Sequence, residues 1–537
     1  ERIYGGFENL PAAGTCGSVT LSNHLAHAVQ AFFNEGGARL YISRVYAPLT
    51  AGNTSGKQSL SIDDGNGNSI AIGARFPGRA YAGTVSFREV TSPASSTARD
   101  RAPVGTFLRL SQPGANPTDP PTLSYFVKAT AGWQDSSGGN LTVNANDKTD
   151  FVTINVVTDD ASSNPVSLSY EGLGFASSHP QYLGKVLTDT PSQRSDALQN
   201  LYAVTIADAI TAFQLRDILF GSLAAGTDTR IVSLAASTAT TGNDGSEPTS
   251  TAFESALQEL ASVEDISIVA APGYGALSGG KGIERSLISH AETRRSYRIA
   301  ILETPDNLTP SGAREYKSDI DSTYAALYYP WVTIVNPLFR PGDASEPAEI
   351  KLPPTGFMAG IYARNDVERG VFKAPANEVV RGALRFARDI NFAEQESLNP
   401  FGVNCLRFFP GRGYRVWGAR TTSSDPEWKY VNIRRYFNYL EQSIDRGTQW
   451  AVFEPNGEQL WTNIRDTISA FLYNEWISGA LLGSTPEQAF FVKCDRSTMT
   501  QNDLDNGRLI CLVGVAAVKP AEFVIFRIGQ KTADASS

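Results

Sequence analysis

The sequence predicts a multidomain α/β protein: a parallel α/β sheet domain carrying an inserted all-β domain, followed by an α+β C-terminal domain. Three observations predict it. Apolar strand-like runs alternate with helical patterns between about 230 and 335. Gly, Ser, Asn, Thr and Pro dominate from about 49 to 189, and five of the seven tryptophans (Trp417, Trp428, Trp450, Trp461 and Trp476) lie in the last quarter. At 537 residues the chain exceeds what one hydrophobic core ordinarily serves.

Taken in order, residues 22–36 form an amphipathic helix with Leu25, Val29, Phe32 and Phe33 on one face, closed by Gly36-Gly37. A strand is expected at 38–45. Within 49–189 the short alternating runs at 84–90, 106–110, 123–130 and 151–157, separated by turn clusters, read as a sandwich or barrel-like insertion. Strands at 230–236, 265–271, 298–303 and 331–335 then alternate with helices at 251–262, 284–296 and 313–328, the pattern of a doubly wound parallel sheet. The domains expected are 1–48 with 190–345 (α/β), 49–189 (inserted β) and 346–537 (C-terminal), the Pro-rich 341–354 serving as linker. In the last domain two helices carry apolar stripes: Ile433, Tyr436, Phe437, Leu440 and Ile444 on one, Trp461, Ile464, Ile468, Phe471 and Leu472 on the next. Core packing accounts for both.

Charge narrows the function classes. The net charge is −9, yet from Phe401 onward 15 Lys+Arg face 14 Asp+Glu, so the acidity lies in the first 400 residues. Such a balance gives no nucleic-acid footprint. The longest apolar run, 509–518, is too short to span a bilayer, and no secretory signal stands at the start. Cys16, Cys405, Cys494 and Cys511 form no CxxC, which argues for a reducing cytosol rather than a disulfide framework.

Enzyme-like signals are few. GALSGGKG at 275–282 fits G-x-x-x-x-G-K between a strand and a helix, with Lys281 as the phosphate-binding candidate. Gly282 stands where Ser or Thr would hold Mg²⁺, so a flexible connection is the plainer reading. Glu303 and Asp306 follow a strand end, where α/β enzymes place acids; a turn cap explains Asp306 equally. Of His24, His27, His179 and His290, the first two are spaced i, i+3 on a helix without a further ligand. No GxSxG or HExxH occurs, and neither a catalytic residue, a cofactor nor a metal is expected. The run GRGYRVWGAR (411–420) interleaves Arg412, Arg415 and Arg420 with Tyr414 and Trp417, as a stacking surface for nucleic acid or an ordinary arginine-rich surface loop and strand.

The chain ends on two apolar runs. Residues 508–518 are nearly continuously apolar, as in a strand covered on both faces. From Glu522 onward, Val524, Phe526 and Ile528 share one face and Phe523 and Ile525 the other, with Arg527 between. A two-faced apolar strand must join a sheet, in its own chain or in a neighbour's.

The strings PPTGFMAGIYARND (353–366), ERGVFKAPANEVVRG (368–382), LNPFGVNCLRFFPGRGYRVWGARTTSSDPEWKYVNIRRYFNYLEQSI (398–444), GTQWAVFEPN (447–456), Leu460-Trp461 and FFVKCDRSTMTQNDLDNGRL through PAEFVIF, in this order, resemble contractile tail sheath proteins of phage tails and phage-tail-like injection systems. ERIYGGF at the start and ARLYISRV at 38–45 resemble the family's N-terminal part more weakly.

The resemblance implies a structural subunit, not an enzyme, assembled in the bacterial cytoplasm into a phage tail or tail-like particle. It implies stacked six-membered rings around an inner tube protein, with baseplate and cap or terminator proteins as further partners, and no nucleic acid or membrane insertion. The C-terminal domain would lie innermost, the α/β domain outside it and the β insertion outermost. Terminal arms would donate strands to neighbours: here Glu522, Phe523, Val524, Ile525, Phe526, Arg527 and Ile528. Arg412, Arg415 and Arg420 would face the tube or a neighbour. The family's extended N-terminal arm precedes the ERIYGGF-like segment, so it is expected upstream of Glu1. Contraction would release a metastable extended state without nucleotide. The alternatives are a nucleotide-dependent α/β enzyme with a β insertion, centred on Lys281, and a rigid virion component such as a capsid or tube protein.

Overall fold

Strands buried on both faces sort themselves from strands buried on one, and that distinction organises this chain. The computed structural model describes Phe7 and residues 23–522, apart from 50–51, 53, 79–80, 115, 117–118, 161–165, 225–226, 343 and 345. Two compact units emerge, one spanning Tyr46–Glu247, the other residues 23–45 with 248–522.

The two sheets of the first unit are antiparallel. Ser59–Asp63, Ser69–Ala74 and Tyr202–Ile206 form a three-stranded sheet. A seven-stranded sheet is built around Thr84–Pro93 and Lys148–Asp159, with Phe107–Gln112 and Thr122–Ala129 beyond them. All four of these long strands coincide with runs expected from the alternation. Ile70, Ile72 and Val204 of the small sheet share one core with Phe87, Phe107, Ile154 and Val156 of the large one. Leu108, Leu110, Phe126 and Trp133 fill a second core on the large sheet's other face.

The 230–236 run belongs here, not to the parallel sheet: Thr229–Ser233 pairs antiparallel with Thr84–Pro93. Its side chains say why. Val232 is buried while Ile231 is 68% exposed, so only one face is covered, as an antiparallel sheet allows. The unit therefore extends to Glu247, past the expected end of the insertion at 189.

The second unit holds the parallel sheet. Ile268–Val269, Ile299–Glu303, Ala325–Tyr329 and Val403–Phe409 run parallel, and Gly413–Trp417 closes the edge antiparallel. Alternation divides the sheet's side chains cleanly. Ala300, Leu302, Leu327 and Val403 meet the helices Ser250–Ala261, Gly280–Glu292, Pro310–Lys317 and Phe392–Leu398. Ile299, Ile301, Tyr328 and Leu406 meet His24–Glu35 and Thr355–Arg369 on the opposite face.

Three expected elements are corrected. Residues 38–45 form no strand. Residues 325–328, expected at the end of a helix, are strand: AALYY is fully buried, and only a position between two covered neighbours satisfies both faces. Val332–Val335 joins a small antiparallel sheet with Glu349–Leu352 and Arg385–Phe386 instead of the parallel one. The expected boundary at 346 also cuts through this fold, because Val403–Phe409 lies within the parallel sheet.

The helices His24–Glu35 and Thr355–Arg369 cross closely because Gly356 and Gly360 lack side chains. A Cβ at Gly356 would lie 2.7 Å from the Ala28 Cα, and one at Gly360 2.6 Å from the Phe32 carbonyl oxygen. Beyond the sheet, Val431–Gly447 and Glu458–Ile477 pack Tyr436, Leu440, Trp461, Ile464, Ile468 and Leu472 into a further core, as the two stripes predict. No helix among the described residues is long and apolar enough to cross a membrane.

Candidate functional site

The last described strands form a sheet of only two. Phe490–Lys493 pairs antiparallel with Leu512–Val515, Phe490 opposite Val515 and Lys493 opposite Leu512. Phe490, Val492 and Val515 rest on the helical core beneath. On the opposite face Phe491 and Leu512 are exposed, at 59% and 50%. The 508–518 run is therefore covered on one face, not both. A two-stranded sheet is marginal by itself and offers unpaired backbone groups along its edges.

From this sheet the chain runs to Glu522, which is clasped by side chains of the same chain. Its Oε1 accepts from Arg420 Nε and from Asn399 Nδ2, each at 2.6 Å; its Oε2 accepts from Arg420 Nη2 at 2.7 Å and from the Tyr430 hydroxyl at 3.0 Å. Lys429 adds its charge at 3.5 Å. Burial alone would raise this carboxyl, but the hydrogen bonds from Arg420 and Asn399, with the Arg420 charge, outweigh it and bring it down to about 2.

This places Arg420 differently from the expectation. It is 7% exposed and spent on Glu522, so it is no outward-facing residue. Arg412 is exposed and Arg415 half-buried on the Val403–Phe409/Gly413–Trp417 hairpin. Arg412 Nη2 donates to Asn377 Oδ1 at 2.6 Å, Arg415 Nη1 donates to the Asn377 carbonyl at 2.8 Å, and the Arg412 guanidinium lies 5.5 Å from the Trp417 ring. Glu522 serves as an anchor, and Phe523–Ile528 lie outside the described residues.

The glycine-rich loop is filled from inside. Glu303, fully buried at the end of its strand, accepts from the Gly273 and Gly275 amides at 2.9 and 3.1 Å, and hydrogen-bonds the Thr355 hydroxyl at 2.8 Å. A protein carboxylate thus occupies amides of the turn that leads into the loop. Lys281 Nζ donates to the Tyr316 carbonyl at 2.8 Å and to Glu284 at 3.3 Å, and stacks over the Tyr316 ring. Asp306 pairs with Lys351 at 2.7 Å. His24 packs edge-on to Trp331 and is held by burial at about 4, and burial beside the Arg298 charge holds His290 at about 4. Among the described residues no cluster of His, Cys, Asp or Glu could hold a metal.

Burial without a cation raises Glu303 to about 8, against 4.5 for a free carboxyl, despite the Thr355 and loop hydrogen bonds. The folded state therefore binds this proton more tightly than the unfolded chain does. Its stabilising effect is fully present below about pH 4.5 and is lost as pH rises towards 8, on the order of 4 kcal/mol. Glu303→Gln is expected to flatten that decline, seen as a urea midpoint whose pH dependence is weaker than wild type's across this window.

Sequence reasoning missed a second buried charge pair, Glu35 with Arg364. Arg364 Nη1 donates to Glu35 Oε2 at 2.5 Å and to the Glu35 carbonyl at 2.8 Å, while the Arg381 amide donates to Glu35 Oε1 at 2.6 Å. Its signal was a Glu one residue before a helix-closing glycine, on a face otherwise apolar.

Two family models cover adjoining stretches of the chain: the phage tail sheath protein central domain over residues 247–422, and the phage tail sheath C-terminal domain over 423–531. Together they span more than half of it. The chain belongs to the phage tail sheath family. The join between the models falls where this sheath chain leaves the parallel sheet, after Thr422 donates its N–H to the Ala325 carbonyl at 2.9 Å.

Among curated relatives, a putative prophage major tail sheath protein of Pseudomonas aeruginosa is 26% identical over 267 residues, 49% of this chain and 64% of that protein. The tail sheath protein of Vibrio phage KVP40 is 26% identical over 34% of this chain and 27% of its own length. The matches thus span less than two thirds of these relatives. Among solved structures, the anti-feeding prophage helical sheath in its contracted state is 31% identical, covering 54% of this chain and 77% of that one, with a TM-score of 0.47. The sheath complex of the extracellular contractile injection system PVC, also contracted, is 34% identical over 52% and 75%, with a TM-score of 0.45.

Proposed function

We propose that this sheath subunit polymerises as stacked six-membered rings around an inner tube protein, between a baseplate and a cap or terminator, and that contraction of the sleeve drives the tube into a target. The observation that carries the reading is the two-stranded sheet at 490–493 and 512–515, with the apolar side chains of Phe491 and Leu512 exposed on one face. Each subunit would add its 523–528 run to a neighbour's sheet, by main-chain hydrogen bonds that hold copies together while the linking chain hinges. In this reading the clasp at Glu522 would anchor the donated run to its own subunit. The contracted sheaths among the similar structures support contraction. Arg412 and Arg415 would meet acidic groups on the tube or a neighbour. Assembly would take place in the bacterial cytoplasm.

Contraction needs no nucleotide in this scheme. A metastable extended sleeve gains lateral contact on release, and a small gain per subunit is multiplied over many copies. Co-expression with the tube protein, imaged by electron microscopy, tests it. Striated hollow sleeves that shorten on triggering are the expected result. Monodisperse particles, or sleeves of unchanging length, would overturn it. Saturable ATP binding lost in Lys281→Ala would favour the enzyme alternative instead.

A further inference from the structure

The register of the C-terminal strand pair continues past its last assigned residues. Val492 stands opposite Val513 and Lys493 opposite Leu512, so the next step sets Cys494 against Cys511. The type of that pair follows from the ladder. The Ala516 N–H donates to the Ala489 carbonyl at 2.8 Å, which makes 489 and 516 a hydrogen-bonded pair. Hydrogen-bonded and non-hydrogen-bonded pairs alternate along an antiparallel ladder, so 490/515, 492/513 and 494/511 are of the second kind. Cα atoms there lie roughly 4.5 Å apart with their side chains closest, at the near end of the ~4.4–6.8 Å range that a disulfide spans. Both thiols are free, both belong to the same core, and they interact directly. Cys494 is buried and Cys511 half-buried.

We propose that Cys494 and Cys511 form a redox-addressable pair, which closes to an intrachain disulfide when the chain meets an oxidised low-molecular-weight disulfide. The half-buried Cys511 gives its proton to water, and its thiolate attacks one sulfur of the small disulfide. The first small thiolate departs, leaving a mixed disulfide. Cys494 then loses its proton, attacks the Cys511 sulfur and displaces the second small thiolate. Two protein thiols are oxidised, the small disulfide is reduced to two thiols, and the electrons balance. The staple closes the 495–510 loop and ties together two strands that are marginal alone. In a reducing cytosol the pair stays open; after release into an oxidising medium it locks. Pair formation is independent of the sheath reading, whereas its effect on sleeve assembly rests on it.

Burial holds both thiols above the ordinary range, Cys511 at about 12 with the neighbouring Cys494 contributing. Exchange is therefore slow near neutral pH and should accelerate about tenfold per pH unit as the thiolate fraction rises. Cys405, fully buried and likewise held at about 12, is an internal control.

The test equilibrates the reduced full chain with oxidised glutathione, alkylates the remaining thiols in denaturant, and maps peptides by mass spectrometry. The expected product is one intrachain Cys494–Cys511 link, lighter by two hydrogen atoms, with Cys405 alkylated. Cys494→Ser and Cys511→Ser should each lose it, and the same chain oxidised while unfolded should lose the preference. Alkylation of both thiols in the native chain, or pairing of either with Cys16, Cys405 or a second copy, would overturn the proposal. A mapped link in a chain that never forms sleeves would sink the functional reading and leave this one standing.

Discussion

A chain ended after Glu522 is expected to fold normally and form no ordered sleeve. The expectation separates two roles that the C-terminal segment combines. Glu522 is held by Arg420, Asn399, Tyr430 and Lys429, and this clasp remains when residues 523–537 are removed. Stability should then change by no more than ~1 kcal/mol, since the hydrogen-bonded network around Glu522 is left intact. Assembly should fail because the 490–493/512–515 sheet of each neighbour receives no further strand. A cut before Glu522 tests something else: it strands the buried Arg420 guanidinium and confounds folding with assembly. Thermal melting combined with microscopy distinguishes the two. Sleeves of normal periodicity from the longer form would falsify strand donation.

The second large effect is expected at Arg364→Met. Arg364 is 6% exposed and Glu35 fully buried, and the guanidinium also serves the carbonyls of Glu35 and Val379. It thereby caps the C-terminal end of His24–Glu35 where that helix lies on Thr355–Arg369. Burial raises the Glu35 carboxyl to about 7, with the Arg381 amide and the Arg364 charge holding it from rising further. Removing Arg364 leaves a desolvated acid and an uncapped helix end, a loss of about 3 kcal/mol or more by chemical denaturation. The double variant Glu35→Met with Arg364→Met should recover much of it, since apolar packing often matches a buried pair. A single-variant loss under ~1 kcal/mol would mean that water already reaches this pair.

These two sites differ in how far the sequence announced them. The terminal strand pair was legible because its residues are apolar in runs, and runs survive any uncertainty of register. The clasp was not: Arg420 reads as one of three evenly interleaved arginines, and only its nearness to Glu522, over a hundred positions away, separates it from Arg412. The Glu35–Arg364 pair joins residues more than three hundred positions apart. The same contrast runs through the fold. Ala325–Tyr329 has the composition of a helix end and became strand because strands pair along both its edges and helices cover both its faces. Thr229–Ser233 looks like a parallel strand but is covered on one face only, in an antiparallel sheet.

By itself, then, the sequence determined the family, the class of fold, the long β strands of the first unit and the amphipathic helices of the second. Each of those rests on periodicity or on consecutive strings, which are local properties of the chain. Strand partners, the pairing of buried charges, the capture of the Gly273 and Gly275 amides by Glu303 and the meeting of Cys494 with Cys511 were decided by tertiary structure alone. They depend on which distant segments share a core, and no local pattern encodes a distance through space.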